Sequence, residues 1–273
     1  MRKTISFAAV SDIDKDNPDE DIDSSNADEN SIRQPGTAPK DDHGTELARA
    51  ADGGLAADAA TYLARSGYSV ASLGESTEEI ERQAADLVQW ARKRNVLLTD
   101  AYFSGLLKHE STTAEHEVFF RASDNRVLKR TYPGTFGVTP EPKGRRQHAT
   151  PLFYLHRLEL MNRVFGSELQ MEGVNMGRSL LIGAQGFNAS IVVSQPWIRA
   201  ADPANPHPSA MEVAQFMQSL GFVQLKPSYF GWHREIDGCT VLDARPDNFI
   251  KSAAGVVPID LVLSQRALGE PCS

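Results

Sequence analysis

Three oxygen-bearing side chains near the C-terminal end of the chain are spaced for metal and phosphate chemistry. In VLDARPDNFIKSAAGVVPIDL, residues 241–261, one apolar run delivers Asp243 and a second delivers Asp260, with Asn248 between them. Phosphoryl transfer from a nucleotide asks little covalent chemistry of a protein. It needs a cation for the phosphates, oxygen ligands for magnesium and a group that orients the acceptor hydroxyl. Magnesium prefers carboxylate and amide oxygens, usually few of them, with phosphate and water completing its shell. Two strand-like runs that end in acids offer such ligands on a rigid frame. The competing reading is a polar turn, because Asp, Asn and Pro all favour turns. Asp260 resists that reading, since an unpaired carboxylate in an apolar run is costly to bury.

The elements that would position these groups lie upstream. Ser76 and Glu79 form a capping-box pair, and Ile80, Ala84, Leu87 and Ala91 follow at helical spacing, which predicts a firm helix. The Ala-rich stretch before it, residues 47–72, predicts short helices. EVFFRASDNRVLKRT predicts strands over 117–121 and 126–131 around the turn 122–125. Thr150 as N-cap and Pro151 in the first turn open another helix. Leu155, Leu158, Met161 and Phe165 form its apolar face, and Gly166 ends it. RSLLIGAQG and FNASIVVSQPWI predict a second hairpin. Ser209 and Glu212 cap a helix that runs to Gly221, and short strands joined by turns complete the chain.

Composition narrows the class. A 41% apolar content over 273 residues is enough for a sizeable core. The net charge of −8 argues against a nucleic-acid binder, which would carry a basic footprint. Cys239 and Cys272 are too few for a disulfide framework and lack zinc spacing, so a reducing compartment is expected. No apolar run reaches the ~18 residues of a membrane span. The apolar patch from Ile5 to Val10 is shorter than the roughly 7–15 residues of a secretory core, so the cytoplasm is expected, with specialised export left open. Residues 1–46 read as a disordered acidic leader, because such a segment cannot bury enough surface to offset chain entropy.

The ordered set AEHEVFF, RVLKRTYPGTFG, ATPLFYLHRLELMNRVFG, SQPWI, FMQSLGF, LDARPDNF and VPIDL resembles a known family. It is similar to the kinase-like domain of phage and mobile-element polyvalent proteins, in the protein-kinase-like superfamily, over residues 80–264. Asp243 to Asn248 has the D-x-x-x-x-N spacing of the kinase catalytic loop. Asp260 resembles the metal-binding aspartate of the Asp-Phe-Gly motif, although the local string is Pro-Ile-Asp-Leu. The resemblance implies an α+β, minimal bilobal kinase-like fold. After a helical prelude at 47–98 it would have an N-lobe at 99–200 and a reduced C-lobe at 201–273.

ATP and magnesium are the cofactors the resemblance implies. Asp243 would be the base or acceptor-orienting group, and Asn248 and Asp260 would hold magnesium. Lys129 would contact the α- and β-phosphates and pair with Glu159, with Asn162 and Glu168 as competitors for that role. Gln195 and Trp197 would lie at an adenine-facing hinge, and His116 in a nucleotide-covering loop. The implied activity is phosphoryl transfer, or nucleotidyl transfer, to an unknown protein or small-molecule acceptor. A pseudokinase or nucleotide-binding regulatory module is the alternative, and an interaction protein using its acidic leader on a basic partner is a third reading.

Three features depart from the family pattern. HESTTAEHE stands where a Gly-rich loop would wrap phosphate, and Val241-Leu242 rather than His-Arg precede Asp243. Only 13 residues follow Asp260, so the helices that seat a peptide substrate are not expected in this sequence.

Overall fold

The computed structural model describes residues 54–70, 76–109, 115–140, 146–178, 187–225 and 230–265. The acidic leader read for 1–46 lies outside them. Helices α1 (Gly54–Arg65) and α2 (Thr77–Lys93) are followed by strands β1 (Leu97–Leu98), β2 (Leu107–Lys108), β3 (His116–Arg121), β4 (Arg126–Thr131), β5 (Val138–Pro140) and β6 (Arg146–His148). Helix α3 (Pro151–Phe165) leads to β7 (Gln170–Arg178) and β8 (Phe187–Pro196). Helix α4 (Ala210–Ser219) then precedes β9 (Val223–Gln224), β10 (Trp232–Arg234), β11 (Cys239–Leu242), β12 (Phe249–Ser252), β13 (Gly255–Pro258) and β14 (Val262–Gln265). The fold is α+β. Its largest sheet is mixed, in the order β1-β7-β8-β4-β3-β2, with only β1 parallel to its neighbour. A four-stranded sheet, β14-β11-β10-β9, and the hairpins β5-β6 and β12-β13 complete it.

Local signals account for the helix ends. Ser76 Oγ accepts from Glu79 N, Thr150 Oγ1 accepts from Phe153 N, and Ser209 and Glu212 close a full capping box. Each satisfies donors that a first helical turn leaves without intrahelical partners. Helix α3 ends at Gly166 with φ 62, the left-handed cap that glycine adopts without penalty. A further first-turn donor of α3, Leu152 N, is accepted by the buried side chain of Gln83 from α2. Caps and tertiary packing thus act on the same groups.

Two apolar cores meet along α3. Its first half, Leu152 to Leu158, packs with α1, α2, β7 and β8. Leu160 and Met161 instead join Val213, Met217, Trp232, Val241, Phe249 and Leu261. A helix buried by two cores must be apolar nearly all round, and α3 is. Helices α1 and α2 therefore share one core with the large sheet. Among the described residues, no helix is long and apolar enough to cross a membrane.

The second hairpin differs from the sequence expectation. Its first strand is β7, which begins at Gln170, whereas most of RSLLIGAQG (179–186) falls outside the described residues. Gly173 and Gly177 obscured β7, because glycine in a strand weakens the apolar alternation. Gly173 has φ +155 at a register irregularity, and a Cβ there would sit 2.3 Å from Val96 O. Only glycine lets the approach to β1 come that close. Gly173→Ala is expected to destabilise the fold by ~2 kcal/mol or more, read as a lowered urea midpoint at unchanged slope.

Candidate functional site

Strand register explains how two acids remote in sequence become neighbours. Leu242, the last residue of β11, is the register partner of Val262, the first of β14. Asp243 therefore leaves the ladder at the same end at which Asp260 and Leu261 enter it, where adjacent strands are ~4.8 Å apart. The two apolar runs of the sequence do not pair with each other: β11 pairs with β14, while β13 pairs with β12. The β12-β13 hairpin is an excursion that returns the chain to Asp260.

A continuous hydrogen-bonded chain joins the candidate groups. Lys129 Nζ donates to Ile259 O. Ile259 N donates to Asn248 O at 2.9 Å. Asn248 Nδ2 donates to Asp243 O at 2.7 Å and to Asp243 Oδ2 at 3.1 Å. Asp243 itself adopts φ 59, a left-handed conformation uncommon for a residue with a side chain and concentrated at functional turns. Thus Lys129, Asn248 and Asp243 are linked through Ile259, the residue before Asp260.

The large sheet supplies a floor. Val118, Lys129 and Val193 are cross-strand partners, as are Phe120, Val127 and Gln195 in the next row. Partners in register point to one face of a sheet. Lys129 therefore stands beyond a wall of Val118, Val127 and Phe120. Gln195 lies on that face. Trp197 stacks edge-on against Phe120, ring centres 5.3 Å apart, and donates its backbone N–H to Asn125 O.

Two predicted residues are corrected. Glu159 does not meet Lys129: its side chain is 55% exposed and faces His156. It belongs to the solvent stripe of α3 with His156 and Arg163, about 200° round the helix from the inward-facing position 157. Its competitors fail too, since Asn162 is engaged with the backbone of Leu169 and Glu168 is exposed past the helix end. His116 is not in a covering loop. It opens β3, is buried, and places Nε2 2.9 Å from the Tyr154 hydroxyl. Burial pushes its imidazole below the ordinary histidine range; Glu115 and Asp260 oppose this, and Lys129 and Arg157 add to it.

Arg157 holds the position expected of an acid. It is 5% exposed and donates to Leu261 O at 2.7 Å, Glu115 Oε1 at 2.6 Å and Asp260 Oδ1 at 2.8 Å. Glu115, Arg157 and Arg245, which lies 2.9 Å from Asp243 Oδ1, were not foreseen. For Arg157 a signal existed, because an arginine in a helix apolar nearly all round must find buried acceptors.

Electrostatics follow from this packing. Burial lowers the Lys129 amine, as does Arg157, while Asp260 and Glu115 oppose them. Burial raises the Asp260 carboxyl, but Lys129, Arg157, His116 and Arg245 outweigh it and hold it below the usual range. Glu115, His116 and Asp260 each offer a donor atom within 4.8 Å of the others. The guanidinium of Arg157 already lies on two of those residues. Asp260 and Asn248 offer hard oxygen atoms, the donor type that magnesium takes. Neither a scan against protein-family models nor searches of curated proteins and of solved structures finds a match.

Arg157→Met is expected to cost ~3–5 kcal/mol in chemical denaturation, because Glu115 and Asp260 lose their counter-charge. Glu159→Ala should stay within ~0.5 kcal/mol. A carboxyl depressed in the folded state contributes stability above its unfolded pKa and loses it as pH falls through the folded value. Below pH ~4, wild-type stability should therefore fall more steeply with acidification than that of Asp260→Asn.

Proposed function

We propose that the chain is an ATP- and magnesium-dependent phosphotransferase of minimal, bilobal kinase-like design, acting on a protein or small-molecule acceptor. The observation that carries the reading is the hydrogen-bonded chain from Lys129 through Ile259 and Asn248 to Asp243, with Asp260 beside it. In this reading the apolar wall of Val118, Val127 and Phe120, with Gln195 and Trp197 at its edge, receives the base. Lys129 meets the phosphates, Asn248 and Asp260 hold magnesium, and Asp243 orients the acceptor hydroxyl. Magnesium, when bound, offsets phosphate charge during transfer. Kinship with the kinase-like domain of polyvalent proteins, and a cytoplasmic setting, belong to the same proposal.

The hold of Arg157 on Asp260 favours a second reading, a nucleotide-binding regulatory module, because part of the metal-facing carboxylate is already engaged. Thermal unfolding separates the readings. At a hundredfold excess of Mg-ATP over its Kd, the wild type should gain roughly 2.7 kcal/mol. Lys129→Met and Asp260→Asn should lose that gain, whereas Asp243→Asn should keep it and lose transfer of γ-labelled phosphate. Absence of any nucleotide shift in the wild type defeats both readings. Binding without transfer of γ- or α-label selects the regulatory module, and transfer of α-label alone indicates nucleotidyl transfer.

A further inference from the structure

We infer that this site takes one divalent ion, and that Arg157 permanently supplies the positive charge that a second ion brings to two-metal phosphotransfer sites. The inference rests on the nucleotide reading above and concerns the capacity of the site, not the presence of nucleotide. Two-metal sites of this chemistry use an aspartate and an asparagine to hold both ions. Here the aspartate has one oxygen already taken: Asp260 Oδ1 accepts from Arg157 Nη2 at 2.8 Å. That guanidinium cannot swing aside cheaply. It is buried, and it is tied independently to Leu261 O at 2.7 Å and Glu115 Oε1 at 2.6 Å. Moving it would strand a buried charge and a buried acceptor together.

The surrounding charges agree. Glu115, His116 and Asp260 are the only group of three potential ligands that lie close together among the described residues, and Arg157 bonds to two of them. A second dication placed there would meet the guanidinium and the nearby Lys129 amine, both of which act on Asp260. Asn248 is likewise half committed. Its Nδ2 donates to Asp243, which turns Oδ1 into the atom available to an ion. One carboxylate oxygen of Asp260 and one amide oxygen of Asn248 suit a single magnesium completed by phosphate and water.

Manganese stands in for magnesium and is counted by electron paramagnetic resonance, with a non-hydrolysable ATP analogue saturating the full-length chain. The wild type should bind one manganese per bound analogue. Arg157→Gln, where folded, should bind two, and Arg157→Lys, which keeps the charge, should return to one. Two ions in the wild type overturn the inference while leaving the nucleotide reading intact. One ion in a folded Arg157→Gln also overturns it. If Arg157→Gln does not fold, the counts for wild type and Arg157→Lys decide, and a value of two in either refutes the claim. No analogue and no manganese bound by the wild type defeats the nucleotide reading, and this inference with it.

Discussion

A single buried guanidinium organises the centre of this molecule. Arg157 reaches Glu115 ahead of β3, Asp260 after β13 and the backbone of Leu261 before β14. Glu115 and the Asp260-Leu261 pair are far apart in the chain, and nothing local brings them together. Removing charges from water is expensive and is repaid only when geometry and partners are good. The three contacts therefore act less as a source of stability than as a specification: moving α3 away from Glu115 and the Asp260-Leu261 segment leaves charges unmatched. Because α3 also runs between the two apolar cores, the same residue sets how both cores meet.

Charge balance follows from that arrangement. Lys129 and Arg157 face Glu115 and Asp260, two positive groups against two negative ones. Helix α3 contributes the cation Arg157, and the acid Glu115 comes from the approach to β3. Asp243 and Asn248 lie at the edge of this cluster, on a turn whose left-handed residue is the aspartate itself. The β11-β14 register turns a long separation in sequence into adjacency. The floor of the site is set by a second register, between β3, β4 and β8.

Much of the scaffold was legible beforehand. Thr150, Pro151 and Gly166 bound α3, and Ser209 and Glu212 open α4, because capping is a contest among neighbouring backbone groups. Strands β3 and β4 were legible from β-branched and aromatic alternation around a tight turn. Strand β7 was not, since Gly173, set against Val96 beside β1, and Gly177, set against Pro133, remove the periodic signal. Glu159 was misjudged because a face inferred from Leu155 ignores that α3 serves two cores, which leaves only a narrow stripe for water. His116 was misjudged because the resemblance put a covering loop at its position, whereas the Tyr154 hydroxyl gives it a place in the core.

Sequence alone determined the caps and the main strands, and it singled out Asp243, Asn248 and Asp260 by type and spacing. Each depends on residue type and on near neighbours along the chain. The tertiary structure decided which acid faces which cation, that Arg157 and Glu115 take part, and that Glu159 does not. Those outcomes depend on strand register and on where buried charge finds a partner. Both are settled by contacts between segments that the one-dimensional order leaves apart.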